Sequence, residues 1–355
     1  MSDDPNAPPG PGLVVLFGSG ETSASGSKII QGLAPRLARP VRIAVLETPA
    51  GFELNSAQVA GRVAEFYADR LQNDKPQVSV VPARRRGTVH SPDAPEVVAA
   101  LRPASLLFMG AGSPTYTVRQ LTDSLAWQTW LAAHRQGAMA VLASAATLAA
   151  SAVTLPVYEI YKVGEDPHWK PGLDFLAAYG LPLVFIPHWN NAEGGADLDT
   201  SHCFIGRARF DELRAQLPAD TPVVGIDEHT ALVLDLAAGQ CQVLGAGGVT
   251  VLRGAERDYW ANRTTFPLSV LGQYHIPDLP AGVPVAVWEA VAAARRPDEA
   301  AAPLEVQALV DERQAARAAK DWPRADAVRA QIAALGWQVK DTPQGPALER
   351  LPAAR

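Results

Sequence analysis

Short apolar runs alternate with helical patterns along the first two thirds of the chain. Helical spacing of apolar residues is clearest over Gln58–Leu71 and Tyr116–Ala133. Continuous apolar runs of four to eight residues separated by helices indicate a parallel sheet that is covered on both faces. The strands predicted in this way are Leu13–Phe17, Val41–Leu46, Val78–Val81, Ser105–Met109, Ala138–Ala143, Leu183–Ile186 and Val223–Ile226.

The pattern changes after Ile226 to short apolar runs joined by tight turns. The runs TALVLDL, QCQVLG and GVTVLRG follow one another within residues 230–254. Such runs are typical of antiparallel hairpins. We therefore predict an α/β fold, with a mostly parallel sheet flanked by helices and antiparallel hairpin strands at the end.

The last sixth of the chain has its own pattern. Residues 292–303 (AAARRPDEAAAP) have the composition of a linker. Helical spacing then resumes over Leu304–Lys320 and Pro323–Leu335, where Asp321 is placed to cap the second helix and Gly336 to end it. The predicted organisation is a disordered tail at 1–11, a large domain at 12–291, a linker at 292–303 and a small α-helical hairpin module at 304–355.

Composition limits the class of protein. Hydrophobic residues make up 48% and charged residues 19% of the 355 positions, which is typical of a globular chain. A net charge of −6 favours neither nucleic acid nor an anionic membrane as the main partner. The polar, proline-rich start lacks the apolar core of a signal peptide, and no window reaches the ~20 apolar residues of a membrane span. Because Cys203 and Cys241 form no C-x-x-C pair, we expect a reducing, cytoplasmic location.

Polar residues follow several of the predicted strands. They are Gly18–Glu21, Gly110–Ser113, Ser144, His188 and Asp227–His229. Ligands of open α/β sheets bind at the carboxyl ends of the strands, so these side chains should converge. A serine needs a histidine to take its proton, the histidine needs an acid, and the developing oxyanion needs backbone N–H donors. The set therefore contains the groups required for acyl transfer.

Each of these residues also has a purely structural interpretation. Ser144 lies in VLASAATLAA, where a serine is most often a small core residue, and a lone histidine such as His188 more often packs or caps. A metal site built from His188, His202, Glu228 and His229 lacks tight ligand spacing. The glycines of GSGETSASG are misplaced for dinucleotide binding. We predict neither a metal nor another cofactor.

The segment GIDEHTALVL, Gly225–Leu234, resembles the cyanophycinase and dipeptidase E family of serine peptidases. Cyanophycinases carry a very similar G-I-D-E-D-T-A-L segment. Phe108–Gly112 (FMGAG) resembles the glycine-rich turn that follows their fourth strand. The resemblance covers about residues 11–255 and implies a class I glutamine-amidotransferase-like α/β fold.

The resemblance also implies roles for individual residues. Ser144 would be the nucleophile, His188 the base, and Glu228 the acid that orients His188. The backbone N–H groups of Gly112 and Ala145 would form the oxyanion hole in a hydrolase of peptide or amide bonds. Dipeptidase E takes its acid from between the serine and the histidine, which leaves Glu159, Glu165, Asp166 and Asp174 open as alternatives. Substrate contacts are expected from Ser113, Asn190, Asn191 and Arg207.

The sequence departs from the family pattern at two places. Ala143 and Ala146 replace the glycines that flank the family's serine, and 190–194 (NNAEG) replaces the arginines that hold cyanophycin. Glycine permits close backbone approach and unusual torsion angles that alanine does not. These changes argue against cyanophycin as substrate. They also leave open a second hypothesis, a catalytically impaired binding or adaptor protein.

Val306–Gly345 resembles the C-terminal helical segment of bacterial cysteinyl-tRNA synthetases, through A-x-x-A-K-D-W at 316–322 and D-T-P-Q-G at 341–345. The catalytic motifs of a synthetase are absent, so we do not expect that activity. Residues 304–355 contain eight Lys or Arg and seven Asp or Glu. This is not the excess of basic residues that is typical of a nucleic-acid-binding surface. Docking of this module on its own core or on a partner is therefore favoured over contact with tRNA, and a homodimer is compatible with the sequence.

Overall fold

The computed structural model describes residues 10–278, 280–296, 304–342 and 345–351. The chain divides into two compact units, Met1–Arg295 and Arg296–Arg355. Residues 1–9 of the predicted tail lie outside the described residues.

The strands and helices of the N-terminal unit follow the predicted alternation closely at its start. Its strands are β1 (Val14–Phe17), β2 (Arg42–Leu46), β3 (Gln77–Val81), β4 (Leu106–Met109), β5 (Met139–Ala143), β6 (Val153–Thr154), β7 (Lys170–Pro171), β8 (Val184–Ile186), β9 (Val223–Ile226), β10 (Thr230–Asp235), β11 (Gln240–Gly245), β12 (Gly248–Arg253), β13 (Glu256–Ala261) and β14 (Thr265–Pro267). Its helices are α1 (Ala24–Leu33), α2 (Ser56–Arg70), α3 (Pro114–Leu121), α4 (Leu125–Arg135), α5 (Ala145–Ala149), α6 (Arg207–Ala215) and α7 (Val285–Arg295).

The main sheet has eight strands within the described residues, in the order β14-β11-β10-β1-β5-β4-β2-β3. The pairs from β1 through β3 are parallel, whereas β10, β11 and β14 are antiparallel to their neighbours. Alternate residues of β1 enter cores on opposite faces, Val14 and Leu16 on one side and Val15 and Phe17 on the other. The predicted α/β fold with a mostly parallel sheet and terminal hairpin strands is confirmed.

Two of the predicted strands do not continue the main sheet. β8 and β9 pair in parallel in a second sheet, ordered β13-β12-β9-β8 within the described residues. The chain leaves β9 at Ile226 and enters the main sheet at Thr230, where β10 pairs with β1. A fully buried strand has the same apolar character in either sheet, so the sequence pattern did not distinguish them.

The single helix predicted over Tyr116–Ala133 is wrong, because the structure contains a break between α3 and α4. Asp123 has a left-handed conformation, with φ of 57°. Ser124 then caps α4, since its Oγ accepts a hydrogen bond from the N–H of Trp127 at 3.1 Å. The short Thr-Asp-Ser turn redirects the chain without interrupting the apolar spacing.

The C-terminal unit contains two helices and a β-hairpin in its described part. These are α8 (Leu304–Ala318), α9 (Trp322–Ala334), β15 (Trp337–Thr342) and β16 (Gly345–Arg350). Asp321 caps α9 through the N–H of Arg324 at 3.2 Å, and Gly336 follows the helix with φ of 81°. The helices confirm the predicted hairpin, but the two strands were missed. Trp337 and Val339 of β15 pack with Val306, Val310, Val328 and Ile332 of the helices, so the strand completes the small core.

The predicted linker at 292–303 begins too early. Residues 292–295 form the last turn of α7, and 297–303 lie outside the described residues. The alanines in this segment favour a helix, and the helix ends before Pro297. No helix in the described part of the chain combines the length and apolar character needed to cross a membrane.

Candidate active site

Ser144 occupies a sharp turn between strand β5 and helix α5. Its φ and ψ are 51° and −112°, a backbone conformation that residues other than glycine rarely adopt. The N–H of Ser144 donates to the carbonyl of Phe17 at 3.4 Å, and its carbonyl accepts from the N–H of Leu148 at 3.1 Å. These bonds hold the turn at the carboxyl end of the main sheet, where the geometry presents the hydroxyl to a cavity.

His188 faces Ser144 from the other sheet. The Oγ of Ser144 lies 3.0 Å from Nε2 of His188. His188 follows β8 and also has a positive φ, of 50°. Its N–H donates to the carbonyl of Gly18 at 3.2 Å, and its carbonyl accepts from the N–H of Cys203 at 3.1 Å. The N–H and the carbonyl of His188 are therefore both hydrogen-bonded, which fixes the backbone from which the ring projects.

Glu228 completes a continuous chain of hydrogen bonds. Its Oε1 lies 2.9 Å from Nδ1 of His188 and accepts a second hydrogen bond from the side-chain amide of Asn191 at 3.0 Å. The N–H of Glu228 donates to Oδ1 of Asn190 at 2.8 Å. A carboxylate beside Nδ1 favours the tautomer with a proton on that nitrogen, which leaves Nε2 free to accept the proton of Ser144.

The two adjacent carboxylates Asp227 and Glu228 have different environments. Burial by itself would raise the pKa of Glu228, but hydrogen bonds from His188 and Asn191 outweigh it, and the pKa is lowered. Glu228 is therefore ionised at neutral pH. Burial raises the pKa of Asp227, whose Oδ2 accepts from the N–H of Gly248 at 2.8 Å. Asp227 thus ties the chain to β12, and only Glu228 of this pair bonds the histidine.

The turn at Gly112 lies beside Ser144. Gly112 has φ of 146°, and a Cβ at this position would lie 2.0 Å from the carbonyl oxygen of Pro49. Gly112, Ala145 and Ser144 line one cavity of about 260 Å³, which we call the serine cavity. The two residues whose N–H groups were predicted to form an oxyanion hole thus line the same cavity as Ser144.

The rest of the serine cavity comes from segments without a recognisable motif. Lys162 and Glu193 also lie on its wall, and both are exposed to solvent. These positions were missed by the sequence analysis, because nothing local in the sequence shows that the two segments meet Ser144. The other lining side chains are His188, Pro114, Leu148, Val157, Tyr158, Tyr161, Cys203 and Phe204.

The four residues expected to contact substrate have other contacts in the structure. Asn190 and Asn191 hold Glu228, as described above. Ser113 caps α3 by accepting from the N–H of Tyr116 at 3.1 Å, and lines a neighbouring groove with Arg119 and Lys170. Arg207 is exposed at the start of α6 and is not among the described residues that line the serine cavity.

Glu228 occupies the position of the acid that orients His188. The alternatives that the sequence left open were Glu159, Glu165, Asp166 and Asp174. Within the described residues, no hydrogen bond joins any of those four to His188. Glu159 instead pairs with Lys170 at 3.6 Å, and Glu165 lies 3.6 Å from His168. The geometry thus favours the acid that follows β9 over acids between the serine and the histidine.

The alanines that replace the family's glycines fit the turn without crowding it. Ala143 is fully buried in the core on one face of the main sheet, and Ala146 is buried in the core on the other. Neither has a positive φ, and neither lines the serine cavity. Ser144 alone of these residues carries the unusual torsion angle.

Glu21, one of the polar residues that follow the predicted strands, lines a second cavity. This cavity, of about 250 Å³, is also lined by Gly110, Ala111, Glu47 and Arg62. Burial raises the pKa of Glu21, although a backbone hydrogen bond opposes this. Among the described residues, no group of three or more His, Cys, Asp or Glu is arranged to hold a metal ion.

Comparison with solved structures supports the architecture of the N-terminal unit. A peptidase from an acI-B1 Actinobacterium matches with a TM-score of 0.57 and 20% sequence identity. The match covers 72% of this chain and 97% of that chain. At this identity the likeness concerns the fold alone, and it agrees with the predicted α/β fold of a mostly parallel sheet flanked by helices.

The C-terminal segment matches a different class of protein. Residues 299–345 match the model of the cysteinyl-tRNA ligase anticodon binding domain. A cysteine–tRNA ligase of Phenylobacterium zucineum is 62% identical over 40 residues, which are 11% of this chain and 8% of that protein. One from Burkholderia lata is 50% identical over 50 residues, 14% and 11% respectively. The resemblance of the C-terminal segment is confirmed, and the chain spans about a tenth of the ligases that it matches.

Proposed function

We propose that the protein is a serine-type hydrolase of peptide or amide bonds. The observation that carries the proposal is the chain of hydrogen bonds from Ser144 through His188 to Glu228, at 3.0 Å and 2.9 Å. These distances suit a nucleophile, a base and an orienting acid. The peptidase-like fold supports the same chemistry.

The proposed reaction gives each of these groups one role. Nε2 of His188 takes the proton of Ser144 as Oγ attacks the carbonyl carbon of the substrate, and Glu228 stabilises the imidazolium that forms. The N–H groups of Gly112 and Ala145 receive the oxyanion. His188 then gives its proton to the leaving nitrogen as the C–N bond breaks. A water molecule releases the acyl group from Ser144 by the same steps, which restores the serine and forms the acid.

Active-site labelling tests this proposal. A fluorophosphonate probe should label the full-length protein at Ser144, with the modified peptide identified by mass spectrometry, and should not label Ser144→Ala. Ser113→Ala, which alters a neighbouring hydroxyl on the adjacent groove, should still be labelled. Equal labelling of the wild type and Ser144→Ala would remove Ser144 from the mechanism.

A second candidate function concerns the C-terminal unit, because residues 299–345 match an anticodon-binding domain. In this alternative the unit docks to a partner, or contacts tRNA, while the N-terminal unit serves as a binding or adaptor domain. Fluorescence anisotropy with labelled tRNA would compare the full chain with a chain ending at Arg295. Identical binding by both chains would exclude the RNA contact.

The cysteines support a location for the proposed hydrolase. Cys203 and Cys241 are both buried free thiols. Thiols persist in reducing compartments, and we therefore place the protein in the cytoplasm. Fractionation of cells expressing a tagged full-length chain checks this location, and light scattering of the purified protein checks for the homodimer compatible with its sequence.

A further inference from the structure

We propose that the serine cavity selects substrates whose acyl side chain, next to the scissile carbonyl, is uncharged and apolar or aromatic. The inference rests on the proposed function, since it assigns the substrate class of the same site. A polar cavity would instead accept acidic or basic side chains.

The buried residues that line the serine cavity are apolar. Leu148, Val157 and Cys203 are buried, with 1%, 6% and 3% of their surfaces exposed. The ring of Phe204 lies 5.4 Å from the ring of His188 and 6.0 Å from that of Tyr161. A side chain bound beside Ser144 would therefore meet aliphatic groups and aromatic rings, which stabilise apolar groups by excluding water.

Charged groups are confined to the mouth of the cavity. Apart from His188, the only acidic or basic side chains among the described lining residues are those of Lys162 and Glu193, and both residues are exposed. Nζ of Lys162 lies over the ring of Tyr161, 4.9 Å from the ring centre. Burial raises the pKa of Cys203 to about 12, so its thiol stays neutral. A charged acyl side chain would lose its hydration without gaining a buried partner, which is unfavourable.

The cavity has room for a large apolar side chain. Its volume of about 260 Å³ exceeds the ~150 Å³ of an apolar protein cavity that binds benzene. A phenyl or isobutyl group can therefore enter while the carbonyl carbon approaches Oγ of Ser144. Small side chains would leave part of the apolar wall in contact with water.

A strained segment holds this wall in place. His202, Cys203 and Phe204 are consecutive and left-handed, with φ of 57°, 62° and 66°. The ring of His202 stacks on Phe210 with a centroid distance of 4.5 Å and packs edge to face with Trp189 at a centroid distance of 4.1 Å. Such conformations of non-glycine residues are unfavourable and are retained where surrounding packing enforces them. Here they turn Cys203 and Phe204 towards Ser144.

Reactive phosphonates with one leaving group and different side chains test the preference. Diphenyl phosphonate analogues of phenylalanine, leucine, aspartate and lysine would be reacted with the full-length protein, and second-order rates of modification at Ser144 measured. The phenylalanine and leucine analogues should react at least about tenfold faster than the charged ones. Faster reaction of the aspartate or lysine analogue would overturn the inference. Failure of every analogue and of a simple fluorophosphonate would instead refute the hydrolase itself.

A substitution at the cavity provides an independent test. Tyr158 lines the cavity and is 43% exposed, so Tyr158→Arg adds a cation without removing a core residue. This variant should shift the rate ratio towards the aspartate analogue by at least about tenfold. Tyr259→Arg, at a 59% exposed position on β13, is the matched control and should leave the ratio unchanged. An unchanged ratio in a folded Tyr158→Arg protein would contradict the inference.

Discussion

The Oγ of Ser144 and Nε2 of His188 lie 3.0 Å apart, and both residues have left-handed backbone angles, with φ of 51° and 50°. Each follows a strand of a different sheet, β5 and β8. A non-glycine residue in such a region costs about 1–3 kcal/mol, and the surrounding structure must compensate for it. The two unfavourable turns bring the hydroxyl and the imidazole together across the gap between the sheets.

Replacing Ser144 by glycine should stabilise the protein relative to replacing it by alanine. Both variants lose Oγ, but only glycine tolerates φ of 51° with ψ of −112° without steric strain. We expect Ser144→Gly to exceed Ser144→Ala by about 1–2 kcal/mol in the free energy of unfolding. Urea denaturation followed by circular dichroism measures the difference. A less stable Ser144→Gly would show that the turn is not strained.

At the two flanking alanines, in contrast to Ser144, glycine should destabilise the protein. Ala143 and Ala146 are buried and lack positive φ, so Ala143→Gly and Ala146→Gly should each lower the free energy of unfolding by about 0.5–1 kcal/mol. Their fluorophosphonate labelling rates should not rise above that of the wild type. A large increase in labelling would mean that the alanine methyl groups impair the site, in support of the adaptor hypothesis.

Loss of the charge at Glu228 should slow the reaction of Ser144. Glu228→Gln keeps the size of the side chain but removes the charge that stabilises the imidazolium of His188. The rate of turnover or of labelling should fall by about 10²–10⁴-fold. Glu193→Gln removes the charge of an exposed carboxylate at the cavity and is the control, for which we expect a change of less than about threefold. Similar small effects of both substitutions would exclude Glu228 as the orienting acid.

The turn at Gly112 should not tolerate a side chain. In Gly112→Ala the new Cβ would lie 2.0 Å from the carbonyl oxygen of Pro49, so the backbone must move. We expect a loss of about 1–3 kcal/mol in the free energy of unfolding and a strongly reduced labelling rate. Gly164→Ala is the matched control, because Gly164 also has a positive φ, of 88°, but has open space around its Cβ position. Equal behaviour of both variants would show that conformational strain alone, and not the close approach, limits position 112.

The stability of the N-terminal unit should depend on pH through His202. Burial lowers the pKa of His202 to about 4 from 6.5, so the unfolded chain takes up a proton at a higher pH than the folded one. His202 therefore does not lower the free energy of unfolding above about pH 6.5, and it lowers this free energy progressively as the pH falls towards 4. Below about pH 4 the folded and unfolded states both carry the proton, so His202 causes no further decrease. His202→Phe keeps a ring on Phe210 and should make the urea midpoint less dependent on pH between 6.5 and 4. The pH dependence of the wild-type urea midpoint over the same range is the reference, and an equal dependence in His202→Phe would contradict the prediction.

Local pattern was sufficient for much of the fold. The apolar runs at 13–17, 41–46, 105–109 and 138–143 became parallel strands within a residue or two of their predicted bounds. A strand buried on both faces must be apolar along its length, so its position can be detected without knowledge of its neighbours. The break at Asp123 was not detectable in this way, because Thr-Asp-Ser leaves the apolar spacing of a continuous helix intact.

The order of Ser144, His188 and Glu228 and their positions after strands could be recognised from the apolar runs, because these runs mark the ends of strands. The tertiary structure was needed to show that β8 and β9 form a second sheet, that Glu228 bonds His188, and that Asn191 supports this carboxylate. It also decided the apolar wall of the serine cavity, whose segments at 157–162 and 203–204 lie apart in the chain. The assignment of a strand to one sheet or the other, and the packing around a cavity, depend on contacts between residues that are distant in sequence. Hydrophobic periodicity does not encode such contacts.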